Sequence, residues 1–105
     1  MFSFFKRKKI PEPVKKKIKI RPIGKVVHFF SKINVGIIDI ENDCIALGDI
    51  LFIKGEETRF RQRVRSIEYN HQKISKAPSG YQIGLEVGSR VREGDQVFKE
   101  IHCEE

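Results

Sequence analysis

The sequence lacks most of the features that mark a specialised class of protein. It has no tryptophan, one methionine and only two cysteines, Cys44 and Cys103, in 105 residues. Cysteines this far apart form no metal-binding pair, and we expect both to be reduced thiols, because disulfides are rare without export. No apolar run reaches the roughly 18 residues that a membrane-spanning helix needs. The opening MFSFFKRKK puts its charges after its apolar residues, the reverse of a secretory signal, so the expected location is cytoplasmic.

The excess positive charge lies in the first 21 residues. The whole chain carries 21 Lys and Arg against 14 Asp and Glu, a formal net charge of +7. Residues 1–21 hold nine of the basic residues and one acid, whereas residues 22–105 hold twelve basic and thirteen acidic residues. The chain is therefore predicted to consist of a mostly disordered, flexible basic arm (1–21), a nearly neutral folded domain (22–102) and a short tail (103–105). The basic residues of the arm are Lys6, Arg7, Lys8, Lys9, Lys15, Lys16, Lys17, Lys19 and Arg21.

From residue 22 onward, short β-branched and aromatic runs alternate with turn signals. Six such runs follow one another: KVVHFFS, NVGIIDI, ILFIK, TRFRQRVRSIEY, YQIGLEV and QVFKEIH. The run YQIGLEV places its apolar side chains at alternate positions, as a half-buried strand does. Six strands of this length can close on themselves, which removes exposed edges and builds one core. We therefore predict an all-β fold, in the form of a small closed six-stranded barrel.

The run TRFRQRVRSIEY, residues 58–69, has an arginine at every second position: Arg59, Arg61, Arg63 and Arg65. In an extended strand all four project from one face and span about 20 Å. This face must point outward, because four buried arginines would be very costly. A solvated strand face and a ribbon that contacts phosphates both fit this pattern. Lys25 and Lys54 extend the ribbon if their strands lie beside it.

No residues have the spacing of a catalytic or metal site. The three histidines are scattered and have no spaced set of partners: His28, His71 and His102. Asp39, Glu41 and Asp43 can offer oxygen ligands to a cation, but carboxylates at a strand end are generally solvated. A phosphate-binding loop motif and a nucleophile motif are both absent from the sequence. We therefore predict no enzymatic activity, no metal, no cofactor and no GTP binding.

The stretch ALGDILFIKG, followed by VRSIEYNHQKISKAPSGYQIGLEV, resembles domain II of the translational GTPases, the barrel beside the GTPase domain in elongation factor Tu. The likeness covers roughly residues 23–99. The stretch IGKVVHFFSKINVGIIDIE narrows it to the stand-alone translation elongation factor-like proteins. The positions that carry the pattern are Leu47, Gly48, Asp49, Gly55, Val64, Ser66, Ile67, Ile74, Ala77, Gly80, Ile83, Gly84 and Leu85.

The resemblance implies the barrel but only part of that family's function. Where the family has Gly-Arg-Val-x-x-Gly near the aminoacyl end of tRNA, this chain has IDIEND, residues 38–43. An acidic strand repels phosphate, so the aminoacyl-tRNA pocket is not carried over. A chain of 105 residues also cannot hold a GTPase domain beside the barrel.

Three roles follow from these observations. The main one is a non-catalytic, translation elongation factor-like module that binds RNA, the ribosome or translation proteins through the arginine row, Lys25, Lys54 and the basic arm. The alternative is a protein-interaction or accessory module that docks on an enzyme such as a collagenase-like peptidase or a GTPase, with the arginines facing an acidic surface. The third is a weak membrane-surface contact of the arm through Phe2, Phe4, Phe5 and the basic residues that follow them.

Overall fold

The computed structural model describes residues 16–104, with side chains described from Lys19 to Ile101. This range contains ten β-strands and no helix. The strands are β1 (Lys16–Phe30), β2 (Val35–Ile40), β3 (Cys44–Ala46), β4 (Ile50–Lys54), β5 (Arg59–Arg63), β6 (Ile67–Tyr69), β7 (Gln72–Ile74), β8 (Lys76–Pro78), β9 (Gln82–Glu86) and β10 (Gln96–Glu104). Within residues 16–104, no helix is long and apolar enough to cross a membrane.

The strands form one large and one small antiparallel sheet. The large sheet has eight strands in the order β5-β4-β10-β1-β2-β9-β6-β7, and β3 pairs with β8 in the small one. The prediction of an all-β fold is confirmed. The prediction of a closed six-stranded barrel is wrong, because the hydrogen-bonded order has two ends, at β5 and β7. The run 58–69 is the reason: its first half pairs with β4 as β5, and its second half pairs with β9 as β6.

Strand β1 connects the two halves of the large sheet. It pairs with β10 from Lys16↔Glu104 to Lys25↔Gln96, and with β2 from Gly24↔Ile40 to Phe30↔Val35. The register shifts between residues 22 and 24 against β10, and between residues 26 and 28 against β2. Such bulges bend a strand and increase its twist.

The domain boundaries that the sequence predicted at residues 22 and 102 fall inside β1 and β10. The part of the predicted arm at residues 1–15 lies outside the described residues.

The core lies between the sheets and follows the alternation of the sequence. In β2, β4 and β9, every second side chain is buried. Isoleucine, leucine and valine supply nearly all of it, as expected for residues that favour strands and exclude water well. The buried apolar residues are Ile23, Val26, Ile38, Ile40, Ile45, Leu51, Ile53, Val64, Ile67, Ala77, Ile83, Leu85, Val87, Val91 and Val97.

Two turns with the same chemistry precede β4 and β10. In ALGD and REGD, the Oδ2 atom of the last residue, Asp49 or Asp95, accepts a hydrogen bond at 2.8 Å from the N–H three residues earlier. The glycine before it, Gly48 or Gly94, has φ of 91° or 93°, a conformation that glycine adopts without steric cost. Asp95 is 4% exposed, and a methyl group at Gly55 would overlap its carboxylate. These turns fix where β4 and β10 begin.

Candidate functional site

Strand β5 presents the predicted arginine row. Arg59, Arg61 and Arg63 are exposed, whereas Phe60 and Gln62 between them are half-buried. The alternation arises because successive side chains of a strand point to opposite faces. Arg65 is exposed too, but it follows the end of β5 and so does not continue the strand row. The outward direction of the arginines is confirmed, and three of the four share one strand face.

The two lysines that could extend the row lie in register with its first arginine. Lys25 of β1 is opposite Gln96, Gln96 is opposite Lys54, and Lys54 is opposite Arg59. All four residues of this row are exposed, and three strand spacings separate its ends, about 14 Å. Lys25 Nζ is 3.8 Å from Glu41 Oε2. We call the surface formed by Lys54, Arg59, Arg61 and Arg63 the cationic edge.

Arg61 is already paired within the domain. Its Nε donates to Glu100 Oε2 at 2.7 Å, and its Nη2 donates to Glu100 Oε1 at 3.4 Å. The Glu100 side chain is only 7% exposed. This hydrogen bond and the Glu100 charge raise the pKa of the Arg61 guanidinium. Arg61 therefore connects β5 to β10, and among the described residues Arg59, Arg63 and Lys54 have no ion pair.

A polar cleft of about 170 Å³ lies beside the C-terminal end of β5. Arg63 and Arg65 line it, together with Glu86 and Gly88. The Gln62 side chain spans its floor, because its Nε2 donates to Glu86 O at 2.8 Å and its Oε1 accepts from Gly88 N at 2.8 Å. The cleft thus has a fixed polar floor and two arginine side chains at its rim.

The sequence analysis missed Lys99, a half-buried lysine whose Nζ contacts a backbone oxygen and two carboxylates. Its Nζ donates to Cys44 O at 3.0 Å and lies 3.4 Å from Asp49 Oδ2 and 3.6 Å from Asp43 Oδ1. Its side chain is 15% exposed. No motif marks a single lysine in the run QVFKEIH, and its partners are about 50 residues away in sequence. Only the fold brings them together.

The charges around Lys99 shift the pKa values of the cluster. Burial by itself lowers the pKa of Lys99, but the charges of Asp49 and Asp43 help to outweigh it, so this pKa lies above its ordinary value of 10.5. Burial raises the pKa of Asp43, but Lys99, the N–H of Cys44 and Arg21 outweigh it, so this pKa lies below 3.8. The cluster is a set of ion pairs that joins β10 to the turns around β3.

Two of the three acidic residues considered as cation ligands, Glu41 and Asp43, bind basic side chains instead. Asp43 pairs with Lys99 and with Arg21 Nη1 at 3.4 Å, and Glu41 faces Lys25. No group of three or more potential metal ligands is present among the described residues. His28 Nδ1 lies 3.2 Å from Glu93 Oε2, and no contact between His28 and His71 is recorded among the described side chains.

The predicted basic arm falls mostly outside the described residues. Lys6, Arg7, Lys8, Lys9 and Lys15 lie in residues 1–15, as do the three phenylalanines of the predicted membrane contact. Lys16, Lys17, Lys19 and Arg21 belong to β1 and pair with β10. Lys19 is exposed, and Arg21 is held by Asp43.

A second exposed surface is apolar. At the turn between β1 and β2, Phe30 is 46% exposed and Ile33 is 63% exposed. Both line a groove of about 420 Å³ with Val35 and Ile37 of β2, and four polar residues, Glu68, Asn70, His71 and Gln82, also line it. Gly84 forms part of its floor, and a methyl group there would lie 3.3 Å from Val35 Cγ1. Apolar side chains gathered in this way often mark a site where another molecule packs.

Comparison with known proteins relates the chain to segments of proteases. No protein-family model matches it. It is 35% identical over 77 residues to an uncharacterized protease of Methanocaldococcus jannaschii. The matched segment covers 72% of this chain and 19% of that protease. It is 32% identical over 78 residues to a collagenase of Porphyromonas gingivalis. This match covers 73% of this chain and 22% of the collagenase. The chain thus spans about a fifth of the length of these relatives.

The solved structures that resemble it agree with these relatives. The C-terminal domain of a Geobacillus thermoleovorans protein, described as a U32 peptidase, superposes with a TM-score of 0.68, 20% identity, and coverage of 75% of this chain and 91% of that domain. The selenomethionine variant of the same domain gives a TM-score of 0.67. The fold is that of a U32 peptidase C-terminal domain. The small barrel predicted from the sequence is replaced by this U32 domain fold.

The resemblance to translation elongation factors is wrong, and so are the RNA and ribosome partners inferred from it. The relatives are proteases, and the structural neighbours are U32 peptidase domains. The motif residues explain the error, because they form turns and core in this fold. Gly48 and Gly80 have positive φ, and Val64, Ile67 and Leu85 are buried. A pattern of this kind reports backbone geometry and core packing, not function.

Proposed function

We propose that this chain is a non-catalytic accessory domain that docks on the catalytic part of a collagenase-like peptidase. The observation that carries the proposal is the 35% identity to a protease of which the matched segment is 19%. A segment of that size is a minor part of its relative, which leaves the larger part for the chemistry. The similar solved structure is the C-terminal domain of a U32 peptidase, which supports the same separation between an accessory domain and a catalytic part.

Two surfaces of the U32 domain support a docking role. The apolar groove at Phe30 and Ile33 offers area whose burial is favourable, because burying apolar surface contributes roughly 25 cal/mol per Å². The cationic edge offers orientation and selectivity towards an acidic partner. Apolar and charged surfaces of this kind together are typical of protein–protein interfaces.

Affinity capture tests the docking proposal. The full chain, tagged at one end, is captured from cells of the organism that makes it, after nuclease treatment, and co-purifying proteins are identified by mass spectrometry. We expect a collagenase-like peptidase in near-stoichiometric amount. Recovery of ribosomal proteins in place of a peptidase, or of no partner after chemical cross-linking, would contradict the proposal.

An activity assay tests the non-catalytic part. The purified chain alone is incubated with gelatin and with collagen-derived peptides, and new amino termini are counted. We expect no hydrolysis by the chain alone and a changed KM when it is added to the captured peptidase. Hydrolysis by the isolated chain that survives repeated purification would show a catalytic site.

The cytoplasmic location predicted from the sequence stays a prediction.

A further inference from the structure

The backbone of β5 has hydrogen-bonding groups that no described strand uses. β5 is the last strand at its end of the large sheet. The bonds from Gly55 N to Thr58 O and from Val64 N to Asp49 O, both 2.8 Å, bracket the β4–β5 pair. In an antiparallel pair, residues alternate between bonding to the partner and pointing their N–H and C=O away from it. Counting from these bonds, Arg59, Arg61 and Arg63 point their backbone groups to the free side.

The side chains along this edge carry a charge that the domain does not neutralise. Lys54 and Arg59 are directly opposite each other in the β4–β5 register, and like charges in that position destabilise a strand pair. Of the three arginines on β5, only Arg61 has a carboxylate partner within the described residues. Arg65 adds a further arginine beyond the end of the strand, in the cleft that Glu86 also lines. Carboxylates placed along this edge would relieve the repulsion.

We propose that the cationic edge of β5 binds an extended acidic segment of the peptidase as an added β-strand. That the acidic segment belongs to the peptidase rests on the proposed function above. Backbone groups of Arg59, Arg61 and Arg63 pair with the segment, and acidic side chains at every second position fall on the arginine face. The two rows match because alternate residues of any strand repeat at the same spacing, about 6.6–6.8 Å. Strand addition of this kind obtains affinity from the backbone and selectivity from alternate side chains.

The same geometry excludes a second copy of the chain from this edge. If two β5 strands paired antiparallel about Arg61, Arg59 of one would face Arg63 of the other. Arginine side chains would then oppose one another along the whole edge, which is destabilising. Charged residues on edge strands commonly prevent such self-association. The charge of β5 therefore disfavours pairing with β5 of a second copy and favours pairing with a strand of opposite charge.

A peptide experiment separates strand addition from simple charge attraction. The probe is a short synthetic peptide that alternates glutamate and threonine, with a matched peptide N-methylated at alternate residues so that it keeps its charges and cannot pair. Binding to the full chain is measured by calorimetry, and the amides of residues 59–63 are followed by NMR. We expect the N-methylated peptide to bind about tenfold more weakly, a loss of a few backbone hydrogen bonds. Equal affinities, or shifts confined to other strands, would overturn the proposal.

Substitutions test the charged residues. Arg59→Gln with Arg63→Gln removes the two arginines that make no ion pair and leaves Arg61 with Glu100. The matched control is Lys73→Gln with Arg90→Gln, two exposed residues elsewhere. We expect the β5 variant to bind the peptide about tenfold more weakly and the control to bind it as the wild type does. Thermal unfolding of both variants checks that the fold is kept, and loss of binding in the control to the same extent would overturn the role of β5.

Capture of the peptidase distinguishes this proposal from the proposed function. If the wild-type chain captures the peptidase and the β5 variant does not, the cationic edge is the docking site. If both capture it equally, the edge proposal fails and the accessory function stands. If the wild-type chain captures no peptidase, the proposed function fails. Binding of RNA by the wild type in place of the acidic peptide, lost in the β5 variant, would assign the edge to a different partner and overturn the proposal.

Discussion

At the scale of single residues, long-range ion pairs define the charged surface of this domain. Lys99 and Arg61 are both paired with carboxylates inside the domain, whereas Arg59 and Arg63 have no ion pair among the described residues. Lys99 is held between Asp43 and Asp49, and Arg61 is held by Glu100. The sequence predicted that the arginines point outward, because alternation with Phe60 and Gln62 settles the face. It could not predict which arginine is neutralised, because Arg61 and Glu100 are 39 residues apart.

Asp43 allows a test of the Lys99 cluster through pH. Asp43→Asn keeps the hydrogen bond to Cys44 N, 2.8 Å long, and suits the positive φ of 63° at this position, which asparagine tolerates. It removes the charge that faces Lys99. The folded pKa of Asp43 is lowered from 3.8, so its stabilising charge is present above that value and is lost as the pH falls through the folded pKa.

We therefore expect Asp43→Asn to unfold more easily than the wild type at pH 7, by about 0.5–1 kcal/mol for a partly exposed pair. The difference should shrink as the pH falls below 4. Urea unfolding at several pH values measures it. The control is Glu56→Gln, because Glu56 is exposed and no ion pair of it is recorded among the described residues. A penalty that is the same at pH 7 and pH 3 would show that charge is not its cause.

At the scale of strands and turns, local sequence signals predict where many strands lie but not which strands pair. β-branched and aromatic runs predict β2 and β4, and alternation predicts β5 and β9. The sequence divides β1 between an arm and a first strand, because lysines and Pro22 hide a strand whose partner, β10, lies at the other end of the chain. The sequence does not predict the short strands β3, β7 and β8 and merges β6 with β5 in one run, since three residues carry too little periodicity to recognise.

Gly24 shows why pairing is decided by contacts that a sequence does not display. It is buried in β1 between β10 and β2, opposite Val97 and Ile40. A methyl group there would overlap the backbone carbonyl oxygen of Asp39, which cannot move without breaking the ladder. We expect Gly24→Ala to cost about 1–3 kcal/mol of unfolding free energy, the usual range for overpacking.

The matched control for Gly24 is Gly88→Ala. A methyl group at Gly88 would lie 3.7 Å from Gln62 Oε1, an ordinary contact, and the residue is exposed. We expect this variant to stay within about 0.5 kcal/mol of the wild type. Denaturant titrations of both variants measure the difference. Similar stabilities of the two would mean that β1 relaxes around the added methyl group.

At the scale of the whole molecule, fold class was within reach of the sequence and topology was not. Regular strand and turn signals sufficed for an all-β fold. A closed barrel was inferred because closure removes exposed edges, whereas this molecule has an edge at β5 and covers it with charge. The translation-factor resemblance failed for a related reason: its motifs mark turns that several β folds share, and the relatives, which are 35% and 32% identical to this chain, are proteases.

An edge protected by charge makes a prediction about the whole chain in solution. Salt screens exposed charges, with a Debye length of about 10 Å at 0.1 M and about 3 Å at 1 M. We expect the wild-type chain to be monomeric at low salt and to self-associate weakly at high salt. Arg59→Thr with Arg63→Thr removes most of the repulsion and keeps residues that favour strands, so this variant should self-associate even at low salt. Sedimentation velocity over a series of protein and salt concentrations measures both. Lys32→Thr with Arg90→Thr alters the net charge equally at two exposed residues outside the strands and should leave the chain monomeric at low salt. If this control associates as the β5 variant does, net charge and not the cationic edge keeps the molecules apart.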